Sequence, residues 1–128
     1  MRRKLIWVAA VAGVAAASPA LGGNYGDKFA QDSARGDYAV VTIGKNIGHP
    51  DALYMVTQAK PKQRVNGNWS LTCSKGSGVG SKSGYFRERA PAVERMKLPM
   101  SNPDSCGVAA QGQLAKSGKV TVKLFVRR

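Results

Sequence analysis

Apolar and polar side chains alternate along two segments of the chain, residues 68–73 and residues 106–114. Because successive side chains of a strand point to opposite faces, a period of two predicts a strand with one buried face. The members of the apolar parity are Trp69, Leu71 and Cys73 in the first segment and Cys106, Val108, Ala110 and Leu114 in the second. Both cysteines therefore point the same way as the apolar residues around them. We predict one disulfide, Cys73–Cys106, inside a small β core.

Further β-prone runs are separated by turn signals. The predicted strands are residues 38–43, 52–57, 85–89, 93–98 and 119–126, in addition to the two segments above. We interpret Asn66-Gly67 as a turn, residues 76–84 as a flexible loop, and residues 106–126 as a hairpin closed by residues 116–118. About seven short strands predict an all-β fold, an antiparallel sandwich or a partly open barrel. The immunoglobulin pattern is not met, because Trp69 precedes the first cysteine and the two cysteines lie too close together.

The first twenty residues have the organisation of a cleavable export signal. Arg2, Arg3 and Lys4 precede the apolar run 5–17, and small residues follow it up to Ala20. The run is shorter than the roughly 20 apolar residues of a membrane-spanning helix, so a retained anchor is the weaker alternative. We expect cleavage after Ala20, or else after Ala17, and a secreted, extracytoplasmic product without a transmembrane anchor. The predicted domains are the signal 1–20, a flexible mature N-terminus 21–36 and a single β domain 37–128.

Cysteine and histidine usage limits the chemistry of the chain. Two cysteines permit one intramolecular disulfide, which suits an oxidising compartment. One histidine and two cysteines far apart do not match the spacing of a zinc site, so we predict no metal and no cofactor. We also predict no catalytic residues and no enzyme. A hydrolase that uses His49, Glu88 and Glu94 is the weakest hypothesis, because neither a nucleophile–base pair nor a close carboxylate pair is evident.

The net charge is the strongest functional signal. The formal charge is +13, and removal of a signal that contains Arg2, Arg3 and Lys4 lowers it to +10. A field of this sign favours anionic partners, although cations also keep a secreted protein soluble. We predict polyanion binding by two groups of cations: Lys60, Lys62, Arg64, Lys75 and Lys82 in one group, and Lys119, Lys123, Arg127 and Arg128 in the other. No motif indicates specific nucleic-acid recognition.

Two functional hypotheses follow from these features. The first is a non-catalytic cationic β domain that associates with an anionic cell-envelope or extracellular polymer. The second involves a protein partner, because a disulfide-supported β scaffold can present a rigid loop to a protease. The segment proposed for that inhibitor loop is Lys97-Leu98-Pro99-Met100-Ser101, shortly before Cys106.

Overall fold

The computed structural model describes residues 25–128 and places them in eight antiparallel strands. The strands are β1 (Asp27–Asp37), β2 (Val40–Gly48), β3 (Ala52–Lys60), β4 (Arg64–Lys75), β5 (Gly78–Arg89), β6 (Ala92–Met96), β7 (Ser105–Leu114) and β8 (Ser117–Arg127). The first sheet has the order β1-β8-β3-β6, and the second sheet has the order β2-β7-β4-β5. The predicted all-β sandwich is thereby confirmed, with eight strands in place of about seven. The predicted signal peptide lies outside the described residues.

The core lies between the inner faces of the two sheets. The largest fully buried side chains are Leu53, Met55, Leu71, Met96, Leu114 and Leu124. They occupy alternate positions of their strands, as the period-two pattern requires. No helix among residues 25–128 is long and apolar enough to cross a membrane.

The predicted disulfide is confirmed and links the two central strands of the second sheet. Cys73 and Cys106 are directly opposite each other in the β4–β7 pair, and each is 1% exposed. A buried covalent link between strands is compatible with a protein of an oxidising, extracytoplasmic compartment.

The predicted hairpin at the end of the chain is wrong, because β7 and β8 belong to different sheets. Strand β7 is hydrogen-bonded between β2 and β4, whereas β8 is hydrogen-bonded between β1 and β3. The short connection at residues 115–116 therefore carries the chain from one sheet to the other. Alternation predicts that both segments are strands with an inner apolar row, but it does not specify which strands become neighbours.

Residues 76–84 form most of a long strand, not the predicted flexible loop. β4 and β5 pair along their whole length around the turn at Gly76 and Ser77, and Asn66-Gly67 lies within β4, not in a turn. Two of the glycines in this hairpin make room for aromatic rings. Trp69 covers Gly84 in the opposite strand, and Phe86 covers Gly67 in the same way.

Part of the flexible N-terminus expected at residues 21–36 is a strand in the structure, and residues 21–24 lie outside the described residues. Strand β1 starts at Asp27 and pairs with β8 as far as Asp37, with one irregularity between Lys28 and Ala30. As an edge strand, β1 buries little apolar surface, so its sequence lacks a strong apolar alternation. The backbone of β1 is hydrogen-bonded to β8, so this segment forms a strand although its side chains show no clear apolar pattern.

A buried glutamine joins two connections at one end of the sandwich. The Gln63 side-chain amide donates to the carbonyl oxygens of Ser117, at 2.9 Å, and Pro61, at 3.2 Å. Its oxygen accepts from the backbone N–H of Lys116 at 2.8 Å. Three hydrogen bonds explain why this polar side chain is only 8% exposed.

Candidate functional site

The outer surface of the first sheet carries most of the candidate site. Outward positions on β8 are the odd-numbered residues, because Val120, Val122, Leu124 and Val126 point into the core. The register of the neighbouring strands then places seven cations on this surface, which we call the basic face: Lys28, Arg35, Lys60, Arg95, Lys119, Lys123 and Arg127. No Asp or Glu occupies an outward position in the rows from Lys119 to Arg127. Strand β1 carries Asp27 and Asp32 at the alternate positions, opposite Val126 and Val122, and its outward carboxylate is Asp37, opposite Ser117.

Cations on the basic face are ordered along and across the strands. Lys119, Lys123 and Arg127 follow one another at intervals of four residues on β8, which corresponds to about 13 Å in a strand. Lys119 is also directly opposite Arg35 on one side and Lys60 on the other, so three cations cross neighbouring strands in a single row. Strand neighbours are about 4.8 Å apart. Positive charges are therefore spaced regularly along and across the strands of the basic face.

Lys123 lies near the middle of the basic face and is partly buried. Its neighbours in register are Gln31 and Val56, neither of which carries a charge. Burial, followed by repulsion from the Lys28 ammonium, lowers the pKa of Lys123 from 10.5 to about 8. The Lys28 Nζ donates to Gln31 Oε1 at 2.6 Å. Burial is the larger cause of this lowered pKa, and the positive charge of Lys28 is the smaller one.

Aromatic rings adjoin the cations at one end of the basic face. Tyr54 and Phe125 are cross-strand neighbours on β3 and β8. The ring of Tyr25 lies 5.1 Å from that of Tyr54 and 6.2 Å from that of Phe125, measured between centroids. The Arg127 guanidinium carbon is 5.8 Å from the Tyr54 centroid, within the range of a cation–π contact. These contacts restrict the orientation of Arg127 on the sheet surface.

The structure places three of the four cations of the second predicted group on the basic face and disperses most of the first group. Lys119, Lys123 and Arg127 all lie on the basic face, and Arg128 donates from Nε to the carbonyl of Gly48 at 3.0 Å. Lys60 joins them. The remaining members of the first group lie elsewhere: Lys62 in the β3–β4 connection, Arg64 and Lys75 at opposite ends of β4, and Lys82 on the edge strand β5. Polyanion binding by these residues stays a prediction.

Three cations of the basic face were not selected by sequence reasoning. Lys28 and Arg35 lie on β1, a segment whose lack of a sustained period predicts a flexible terminus, and Arg95 lies on the short edge strand β6. Once the strands are known, the parity of β8 and β3 is sufficient to locate the face. The missing information was strand pairing, which alternation does not provide.

The outer surface of the second sheet has a different chemistry. Three consecutive rows across its four strands contain hydroxyl or amide side chains at nine positions and glycine or alanine at three. These rows, which we call the neutral face, are Thr42–Gln111–Asn68–Tyr85, Gly44–Ala109–Ser70–Ser83 and Asn46–Gly107–Thr72–Ser81. None of the twelve positions carries a charge. Lys45 and Lys82, both exposed, lie at alternate positions of the two edge strands, between members of these rows. In the adjoining row, Arg87 Nε donates to Asn66 Oδ1 at 3.1 Å.

An open trough crosses the neutral face. Gly44, Gly107 and Ala109 form its floor, and Asn46, Ser70 and Thr72 stand along its sides. Lys45 and Val108, which alternate with these positions on β2 and β7, also contribute to its lining. The depression has a volume of about 710 Å³. It exists because the floor positions of β2 and β7 have little or no side chain.

The segment predicted as an inhibitor loop lies along the edge of the sandwich. Leu98 and Met100 pack partly buried against the core, and Lys75 Nζ donates to the Ser101 carbonyl at 3.1 Å. Protease inhibition by this segment stays a prediction.

The hydrolase candidates are dispersed: Glu88 lies on β5 of the second sheet and Glu94 on β6 of the first. Among residues 25–128, no three His, Cys, Asp or Glu side chains come together as a metal site would require.

The chain has a weak structural likeness to a known carbohydrate-binding module. No protein-family model matches the chain, and no curated protein matches it. Among solved structures, it is similar to TmCBM61 in complex with β-1,4-galactotriose. The two are 10% identical, the match covers 77% of this chain and 68% of that chain, and the TM-score is 0.42. A likeness of this degree does not indicate what the present chain binds.

Proposed function

We propose that this protein is a secreted, non-catalytic module that binds an anionic extracellular or cell-envelope polymer through its basic face. The observation that carries the proposal is the segregation of charge on the first sheet. Seven outward positions are Lys or Arg in rows that contain no outward carboxylate. Cations that serve solubility alone are normally interspersed with acidic residues, whereas a surface of one sign attracts the opposite sign.

Repetition along β8 favours a polymer over a small anion. A single exposed ion pair contributes about 0–1 kcal/mol, so one cation gives little affinity. Lys119, Lys123 and Arg127 recur at even intervals and can meet successive charges of one chain. Tethering the first contact raises the effective concentration for the next, so several weak contacts add up to useful affinity.

Lys123 provides a further reason for an anionic ligand. Its pKa is lowered to about 8 by burial and by Lys28, so its positive charge is under-compensated in the free protein. A polymer carboxylate or sulfate placed beside it would restore favourable interactions for the ammonium form. Binding is therefore expected to raise the pKa of Lys123.

The test measures binding of residues 21–128 to dextran sulfate and polygalacturonate over a salt series, with uncharged dextran as the control ligand. Affinity for both polyanions should fall as salt rises, because exposed charges are screened within about 10 Å at 0.1 M salt. The variant Lys60→Glu/Lys119→Glu reverses two neighbouring cations of the basic face. It should bind at least about tenfold more weakly, which corresponds to about 1.4 kcal/mol.

The matched control is Lys75→Glu/Lys82→Glu, which changes the net charge by the same amount on the second sheet. It should lose much less affinity than the basic-face variant. Equal losses in the two variants would mean that only net charge matters, and the proposal of a defined basic face would then be rejected. Absence of any polyanion binding by the unmodified protein would reject the proposed function altogether.

A further inference from the structure

We propose that the neutral face is a second binding site, which accepts an uncharged polysaccharide chain. This inference does not depend on the proposed function, because the two faces belong to different sheets and point away from each other. It concerns a surface that polyanion binding leaves unused. The proposal is based on the chemistry of the three rows and on the trough that crosses them.

The absence of charge on this face is unusual for so basic a chain. Lys and Arg number 20 and Asp and Glu 7, yet none of the twelve outward positions of the neutral face carries any of them. A face exposed only to water would be expected to share in the charged residues of the surface. An uncharged face neither attracts a polyanion nor repels a neutral chain, so its electrostatic complement is an uncharged ligand.

Side chains of the neutral face match a polyhydroxyl ligand in hydrogen bonding. Hydroxyl and amide groups both donate and accept, as do the hydroxyls of a sugar. Asn68, Ser70 and Thr72 follow one another on a central strand that is hydrogen-bonded on both sides. Short side chains on a rigid strand lose little conformational freedom on binding, which lowers the entropic cost of each contact.

The trough supplies a place for a sugar chain to approach the backbone. A Cβ added at Gly44 would meet no atom within 4 Å, and one at Gly107 would lie 3.3 Å from Asn46 Oδ1. Space is therefore open above one part of the floor and lined by a polar group above another. Tyr85, 69% exposed in the first of the three rows, adds an aromatic ring with a polar tip.

Other classes of partner fit this face less well. A protein interface normally has an apolar core, but the only aliphatic side chain in these rows is Ala109. A nucleic acid obtains most of its affinity from Lys and Arg contacts to phosphates, and those residues are absent from the rows. An uncharged polysaccharide needs neither an apolar core nor cations.

The experiment presents residues 21–128 to insoluble cellulose, chitin and starch, and to soluble galactan, mannan and dextran. At least one of these polymers should bind, and the affinity should not change between low and high salt, since no ion pair is involved. Amide resonances of Gly44, Gly107 and Ala109 should shift on binding in a two-dimensional NMR titration. Binding to none of the polymers would overturn the proposal, as would binding that disappears in high salt.

The decisive variant is Gly44→Gln/Ala109→Gln, which fills the floor of the trough with neutral side chains at two directly opposed positions. It should bind the uncharged polymer about tenfold more weakly or worse. The control Val79→Gln adds the same amide at an exposed site on the far edge strand of this sheet and should bind normally. Thermal unfolding of both variants confirms that they are folded. Undiminished binding by the trough variant would refute the site.

A crossed comparison separates this proposal from the proposed function. The trough variant should keep its binding to dextran sulfate, and Lys60→Glu/Lys119→Glu should keep its binding to the uncharged polymer. Loss of uncharged-polymer binding in the Lys60→Glu/Lys119→Glu variant would assign that binding to the basic face and refute the second site.

Discussion

Replacing Gly84 by alanine tests whether the indole ring of Trp69 packs over the backbone of the neighbouring strand. A Cβ on Gly84 would lie 2.4 Å from Cε2 and 2.5 Å from Cζ2 of Trp69. These distances are far below the carbon–carbon contact distance of about 3.5–4.0 Å. Trp69 is 5% exposed and belongs to the core cluster, so the ring cannot move without displacing its neighbours. We expect Gly84→Ala to lower the free energy of unfolding by about 1–3 kcal/mol.

Gly44→Ala provides the matched control, because it is the same substitution in a strand of the same sheet. The added Cβ meets nothing within 4 Å. Alanine reduces the conformational entropy of the unfolded chain relative to glycine, so this variant should gain about 0.4–1 kcal/mol. The two substitutions should therefore differ by roughly 1.5–4 kcal/mol, with opposite signs relative to the unmodified protein.

The measurement is urea unfolding of residues 21–128 followed by tryptophan fluorescence. Trp69 is the sole tryptophan of that range, so the signal reports directly on the ring concerned. The midpoints should move in opposite directions while the slope of the transition stays constant, which indicates a change in stability alone. Equal midpoints for Gly84→Ala and Gly44→Ala would refute the packing described for Trp69.

Three further predictions concern the covalent link, the buried amide and the central lysine. Cys73→Ala/Cys106→Ala should lower the free energy of unfolding by about 3–4 kcal/mol in urea titrations, because the disulfide closes a loop with a sequence separation of 33; a loss below about 1 kcal/mol would contradict this expectation. Gln63→Leu should lower the free energy of unfolding by about 1–3 kcal/mol in the same assay, because it leaves the Lys116 N–H without its acceptor. An unchanged free energy of unfolding would show that water replaces the amide. Lys123→Met removes a charge whose pKa is lowered in the folded state, so it should stabilise the protein below pH 8, and this gain should fade as pH rises from about 8 to 10.5. A gain in stability that does not depend on pH would indicate improved packing instead. The Lys123→Met variant should also bind dextran sulfate more weakly.

Alternation along the sequence was sufficient to predict the fold class and the disulfide. Trp69, Leu71 and Cys73 point inward because burying their row satisfies the hydrophobic effect, and only one parity can face the core. The same rule correctly predicted strands at residues 52–57 and 119–126. These two segments are the central strands of the first sheet, where burial is strongest and the apolar pattern is clearest.

Pairing and edge strands were beyond the reach of that rule. Strands β7 and β8 are adjacent in sequence yet lie in different sheets, and nothing in their alternation distinguishes this arrangement from a hairpin. Strand β5 contains Gly80 and Gly84, which are typical of loops, but here the absence of side chains makes room for Pro99 and for Trp69. Glycine thus marks a close approach between elements in this hairpin, and its contribution is visible only in three dimensions.

The same limitation affects the candidate site. Sequence reasoning grouped cations by proximity along the chain, whereas the sandwich groups them by strand parity and register. Lys60 and Lys119 are 59 positions apart and directly opposite each other, while Arg64 and Lys75 are close in sequence but at opposite ends of β4. The neutral face escaped notice altogether, because residues such as Ser70 and Thr72 become informative only when four strands align them in rows.

The arrangement of cations on the first sheet is itself unfavourable for folding. Like charges directly opposite each other in a sheet are destabilising, and Lys119 has Arg35 on one side and Lys60 on the other. Lys123 is additionally desolvated, which lowers its pKa. Solubility would be served equally well by moving some of these cations to the neutral face, where they would repel one another less. A polyanion bound to the basic face would remove this repulsion, so the unfavourable energy of the free surface would contribute to the binding that we propose. The neutral face of the second sheet would remain available to a different polymer.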